Sequence, residues 1–327
     1  MNRIKKIISL LALISCVPFL SKLAIATEVE PAQQEYLIWR VDPYPGSIYS
    51  VYILGSYHIG KNCELNSPAY EHAFNDAEKV VFEVESVGDP GVELEAASFI
   101  TNLIRTKGIP ASPGDSLQGI LGEETYKLLK QKTDKQGIPL DNIASLKPWV
   151  FLLMQQSYFM TQSEYDPDCG LDNLIAKQAR TQSKPVLGLE TVEYQLNLLF
   201  DRYTTIESKE IIEYLNWYAR ADENVEIEKE INKFFDAITS SINRGETAAV
   251  ESLVSNQCQN DSEECRSMLL DRNYNWVPLI EEYLTQREDK LVVVGAGHLV
   301  GEESVIELLR EKGYRVRRFH NFEVRKR

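Results

Sequence analysis

Two of the chain's four histidines, His58 and His298, occupy the same local frame. His58 lies in VYILGSYHIG (51–60) and His298 in LVVVGAGHLV (291–300). In each, an apolar run stops at a glycine, Gly55 or Gly295, and a histidine follows three residues later. A glycine lets the backbone turn sharply where a strand ends, and open α/β sheets bind their ligands at that carboxyl edge. Two such histidines on neighbouring strands can converge on one point, where imidazole binds a metal or moves a proton near neutral pH. His72, inside a predicted helix, and His320, near a basic tail, read as structural.

The acids extend this pattern. Glu83 and Glu85 in VVFEVES stand two residues apart, so a strand would set both carboxylates on one face. Such a pair is costly to bury unless it is ion-paired, hydrogen-bonded or metal-bound; the plain alternative is a solvated edge-strand face. Glu190 closes KPVLGLE at its strand's end, though it also suits the entry to the helix starting at Thr191. Two histidines and a glutamate are a common ligand set for Zn²⁺, Mn²⁺ or Co²⁺ with a position left for water. A further glutamate can then take that water's proton. The same residues could equally assist ester or amide hydrolysis without a metal.

Other chemistries have less support. Gly295 and Gly297 suggest a dinucleotide fingerprint. However, Gly301 falls one residue late, and the next strand, YRVRRF, ends in no acid. There is no G-x-S-x-G elbow and no H-E-x-x-H helix.

The elements that must position these residues are strands near both chain ends with helices between. EYLIWRVD and SIYSVYILGSYH read as a hairpin joined by PYPGS. SPAYEHAFNDAEKV reads as a helix, and VVFEVES and KPVLGLE as strands. Helical blocks span about 91–183 and 191–287, before KLVVVGAGH, the helix EESVIELLREKG and the strand YRVRRF. The expectation is an α/β fold: one domain over 27–327 with a central mixed sheet built from both chain ends and large helical insertions. A hydrophobic fraction of 43% and a charged fraction of 26% suit such a core.

Residues 1–26 have the layout of a signal peptide: Arg3, Lys5 and Lys6, an apolar run from Ile7 to Leu20, then Ala24-Ile25-Ala26 before the cut. A lipid anchor at Cys16 and an uncleaved anchor are the alternatives; the apolar run is shorter than the ~20 residues a span needs. A periplasmic or secreted protein is expected. Cleavage would remove four basic residues (Arg3, Lys5, Lys6, Lys22) and no acids, taking the net charge from −14 to −18. That surface repels nucleic acid and anionic headgroups. Four cysteines would remain, an even number that favours disulfides in an exported chain. Cys258 and Cys265, flanking a short polar loop, form the first pair, leaving Cys63 with Cys169.

Over about residues 36–322 the chain resembles the TraB/GumN family, which includes the Tiki metalloproteases. The resemblance rests on LGSYHIG, VFEVE, LKPW, CGLDNLIAKQARTQSKPVLGLETVEYQL, LLDRNYNW and VVVGAGHLVGEESVIELLREKGYRVRRF. It implies an α/β core similar to the erythromycin-esterase and ChaN-like folds. It also implies a divalent-metal-dependent peptidase site (Mn, Co or Zn) with His58, Glu83 and His298 as ligands, acting on a peptide or small-molecule substrate. Glu85 or Glu190 would activate water, and Arg272 would stabilise an oxyanion or fix the acids by bidentate pairing. A binding protein using the same cleft, or a metal-independent esterase-like hydrolase, is the alternative. The metal-dependent mechanism that the resemblance implies requires His58 and His298 to lie close together with Glu83 beside them.

Overall fold

A computed structural model describes residues 33–85, 87, 89–205, 208–221, 227–257 and 266–324. The expected leader and the Cys258–Cys265 pair lie outside these residues. Cys63 and Cys169 are bonded to each other.

The expected hairpin is present, with β1 (Leu37–Asp42) antiparallel to β2 (Val51–Ser56). With β3 (Lys79–Val84), β4 (Val186–Glu190), β5 (Lys290–Gly295) and β6 (Arg315–Arg318), they form one six-stranded mixed sheet in the order β4-β3-β5-β2-β1-β6. The chain is therefore an α/β fold with helical insertions, its sheet assembled from both chain ends. β6 lies antiparallel to β1, while β2, β5, β3 and β4 are mutually parallel.

That parallel register sets the position of the chemistry. Ser56 pairs with Gly295, and Val84 with Glu190. Four strands from distant parts of the sequence thus end at one edge and deliver His58, Glu83, Glu190 and His298 to it. The residues of β5 explain its central place. Leu291, Val292, Val293 and Val294 are all buried, as an apolar run must be when both faces of a parallel strand are covered.

The helices, in chain order, are α1 (Pro68–Asp76), α2 (Pro90–Lys107), α3 (Leu117–Lys135), α4 (Leu140–Ile143), α5 (Pro148–Gln162), α6 (Leu171–Thr181), α7 (Val192–Thr205), α8 (Ser208–Arg220), α9 (Ile227–Asn243), α10 (Thr247–Gln257), α11 (Asp271–Thr285), α12 (Val305–Glu311) and α13 (Asn321–Val324). α1 starts as its sequence predicts: Ser67 Oγ accepts the Tyr70 N–H, and Pro68 fills the first turn. No helix among the described residues is long and apolar enough to cross a membrane.

The chain divides into two compact units. One, Glu93–Glu164 with Leu196–Lys233, is helical, and within it Lys132 on α3 donates to the Tyr218 and Ala221 carbonyls at the end of α8. The other holds the sheet, together with the described residues of Tyr165–Gln195 and of the stretch from Phe234 onward.

In the sheet unit, the loop after β2 and the segment entering α6 approach too closely for side chains. A Cβ on Gly60 would stand 2.2 Å from the Cys169 carbonyl oxygen, and one on Gly170 would stand 2.5 Å from that of His58. Gly60 and Asp166 exchange backbone hydrogen bonds at 3.0 and 2.8 Å.

At the centre of β2, Ile53 is fully buried. Ile53→Ala is expected to cost about 2–5 kcal/mol through lost burial and an unfilled cavity. The corresponding drop in the chemical unfolding midpoint of the sheet unit measures it.

Candidate active site

The site is built around a buried guanidinium. Arg272 sits in the first turn of α11, directly after a π-helical turn, Arg266–Leu270, a distortion often found at functional sites. Its Nε donates to Glu190 Oε2 (3.2 Å), and its Nη2 to Glu190 Oε1 (2.6 Å) and Glu83 Oε2 (2.5 Å). Its Nη1 donates to the Met268 carbonyl (3.2 Å) and to His298 Nε2 (3.3 Å). A guanidinium has five N–H donors, and all five are committed. Of the two roles the sequence allows Arg272, the geometry carries the second: it fixes the acids and has no donor left for an oxyanion.

Glu83 is the most connected acid. Besides Arg272, it accepts the Gly295 backbone N–H on Oε1 (2.8 Å) and Gln195 Nε2 on Oε2 (3.0 Å). Burial alone would push its carboxyl up. The Arg272 guanidinium, His298, His58 and the Gly295 N–H outweigh burial and hold it well below the usual carboxylate range. Glu190 shares the same guanidinium and accepts Trp276 Nε1 (3.1 Å), yet burial still pushes its carboxyl up. Each carboxylate accepts three N–H bonds, but the Glu83 charge also pushes Glu190 up, whereas His298 and His58 favour the ionised Glu83. Glu83 is therefore the firmly ionised member.

His298 is locked in one tautomer. Asn273 Nδ2 donates to the Glu303 carbonyl, so its Oδ1 faces His298 Nδ1 at 2.7 Å and accepts that N–H. Nε2 then presents its lone pair to Arg272. Burial, together with the adjoining guanidinium, pushes the imidazole down to about 3, so His298 is neutral and its 3.8 Å approach to Glu83 Oε1 is not an ion pair. Trp276 closes the cluster, its ring centroid 4.4 Å from that of His298 and 4.6 Å from the Arg272 guanidinium carbon.

His58 differs from the other members. Its Nδ1 lies 2.6 Å from Asp172 Oδ2, and the opposite nitrogen faces the Gly295 turn, 3.9 Å from where a Cβ on that glycine would be. Glu83 Oε1 and His298 Cδ2 lie 3.3 and 3.6 Å from the same point. The two G-x-x-H histidines and Glu83 thus meet around one glycine. The side chains of Glu83, Glu190, Arg272 and His298 expose 7% or less, whereas His58 exposes 28%.

Glu85 stands apart from this group. β3 makes its last rung at Val84, the chain turns, and Glu85 is exposed beyond the strand. The two-residue alternation ends where the ladder ends. His72 faces Asp76 on its own helix and His320 faces Glu35, both outside the cluster.

Asp172, Gln195, Asn273 and Trp276 complete the site, and strand-end reasoning had given none of them a role. Trp276 lies four residues after Arg272 and three after Asn273, spacings that make it a neighbour of both on the helix surface. Asp172 lies in the first turn of α6, where a carboxylate suits the helix dipole. These spacings are visible in the sequence, but the partners they serve are not.

As arranged, His58, Glu83 and His298 do not fit a divalent cation. Ligand distances would be near 2.0–2.2 Å. Here His298 Nε2 accepts from Arg272, and both Glu83 oxygens are bound by N–H donors. Among the described residues, no three His, Cys, Asp or Glu side chains are placed to hold an ion. The guanidinium is the cation of this site.

The model of the TraB/PrgY/gumN family matches residues 37–318, so the chain belongs to that family. No curated protein and no solved structure matches the chain.

Removing one partner from a buried ion network leaves uncompensated charge, and Arg272→Ala is expected to cost about 3–5 kcal/mol at pH 7. The pH dependence should also change. In the wild type, Glu83 binds its proton less tightly folded than unfolded, so its contribution is present above the ordinary carboxylate range and fades as pH falls below it. In the variant, two buried carboxylates without a cation would bind protons more tightly folded, so the deficit should shrink as pH falls from 7 towards 5. Denaturant titrations of both proteins across that range check the sign.

Proposed function

We propose that this TraB/PrgY/gumN family protein is a hydrolase of peptide, amide or ester bonds in which His58 is the general base. One observation carries this reading. Among the side chains of His58, Glu83, Glu190, Arg272 and His298, that of His58 is the most exposed to solvent, and Asp172 orients its ring from behind.

The chemistry follows from that orientation. With Nδ1–H donated to Asp172, His58 Nε2 holds the lone pair and takes a proton from a water. The water oxygen attacks the substrate carbonyl carbon. The imidazolium formed is offset by the Asp172 carboxylate, and it returns the proton to the leaving nitrogen or oxygen as the scissile bond breaks. Asp172 is the positioning residue for the base. Arg272, Glu190, Gln195, Asn273 and Trp276 hold Glu83 and His298, so a fixed negative charge lies beside the ring that becomes positive. Prepared charges of this kind need no rearrangement during the reaction.

The setting we propose is outside the cytoplasm. The leader pattern of residues 1–26 and the Cys63–Cys169 bond support it, since disulfides persist in oxidising compartments. The acidic surface favours a peptide or small-molecule substrate over nucleic acid.

A panel of peptides and esters tests the reading. Wild-type turnover should survive a chelator. His58→Ala should lower kcat/KM by about 10²–10⁴ with the fold retained, the usual reach of general base catalysis. Asp172→Asn should fall between the two. Undiminished turnover in His58→Ala would sink this assignment. Turnover abolished by chelation and restored by Mn²⁺, Co²⁺ or Zn²⁺ would replace it with a metal-dependent one.

A further inference from the structure

The general base and the carboxylate that orients it come from different segments, 114 residues apart. His58 lies in the loop after β2, and Asp172 in the first turn of α6. Their 2.6 Å contact therefore depends on whatever holds those two segments in register.

Several ties hold them. The Gly60–Asp166 pair of backbone hydrogen bonds joins the segments just beyond His58. The Leu171 N–H donates to the Tyr57 carbonyl at 2.8 Å. Lys61 Nζ reaches Asp236 Oδ1 at 2.7 Å, and Tyr165 donates to the same oxygen at 2.6 Å. The covalent tie is Cys63–Cys169, whose cysteines stand five residues after His58 and three before Asp172. Lys61 also stands over the Tyr165 ring, 5.0 Å from its centroid, and of the ties named the disulfide alone is covalent. Where backbone passes this close to backbone, a small slip of one loop would separate His58 from Asp172.

We propose that the Cys63–Cys169 disulfide is a positioning device for the site: it holds the His58 loop against the entry to α6 so that Asp172 orients the base. The inference rests on the reading of His58 as base. Cys63 is exposed while Cys169 is buried, so a small thiol attacks the Cys63 sulfur and releases Cys169 as the thiol. A second thiol then frees Cys63, and the two reductant thiols leave as a disulfide. Oxidation by a disulfide-bearing reagent reverses the change.

Four preparations of the full chain test this: oxidised wild type, wild type reduced by a dithiol and then reoxidised, Cys63→Ser/Cys169→Ser, and Gly60→Ala. The double variant separates this bond from any other. Gly60→Ala forces the loops apart with the bond intact, because its Cβ would meet the Cys169 carbonyl. Amide exchange and steady-state kinetics are read together. Exchange at Gly60, Asp166 and Leu171 is expected to rise by about tenfold or more, with the amides of β5 unchanged. On the best substrate of the panel, kcat should fall by about ten- to a hundredfold with KM nearly constant, as for misplacement of about 1 Å. Reoxidation should restore both. Unchanged local exchange overturns the clamp, whatever the activity. Faster local exchange with kcat unchanged overturns its role in positioning, and equal acceleration in β5 makes the bond merely structural. A wild type that hydrolyses nothing defeats the reading of His58 instead, and exchange still decides whether the bond holds the two segments.

Discussion

A buried arginine between two buried glutamates constrains everything else at this site. Taking an ion out of water costs several kcal/mol even after relaxation, and attraction offsets that cost only when geometry satisfies every remaining donor and acceptor. Arg272 meets the condition completely, with five N–H groups directed at two carboxylates, a carbonyl and an imidazole. The partners come from β3, β4, the π-helical turn before α11 and the loop after β5. None of these elements can shift alone without exposing a charge to an apolar interior.

This constraint divides the site into a fixed part and a working part. Glu83, Glu190, Arg272 and His298 are tied to one another and nearly buried, and their role is to hold charge in place. His58 stands at the boundary with solvent, and its orientation comes from a different source, the carboxylate at the start of α6. Two networks of different construction thus meet at the Gly295 turn. One is locked by ion pairing, the other by backbone pairing and a disulfide.

The strands were legible in the sequence, and the reason is local. Apolar runs such as LVVV, each stopped by a glycine or an acid, mark parallel strands that are covered on both faces. The limits of that pattern were also local. It put Glu85 on a strand face with Glu83, but the ladder ends at Val84, and a two-residue period means nothing past the last rung. Helical periodicity ran through residues 91–183 and 191–287 without showing which helices group with the sheet. α6 and α11 do, and α3, α5 and α8 do not, because grouping depends on what each apolar face meets rather than on the face itself.

The sequence by itself determined which side chains would be brought to the sheet edge. Each is tied to a strand end, and strand ends are written in short-range patterns of glycine and apolar residues. Tertiary structure alone decided what those side chains do to one another. That Arg272 would take the place of a cation between Glu83 and Glu190, and that His298 would be neutral and His58 held by Asp172, follows from contacts between residues 26 to 189 positions apart. Charge state and hydrogen-bond direction depend on burial and on the three-dimensional arrangement of donors. Neither is a property of any segment of the chain read alone.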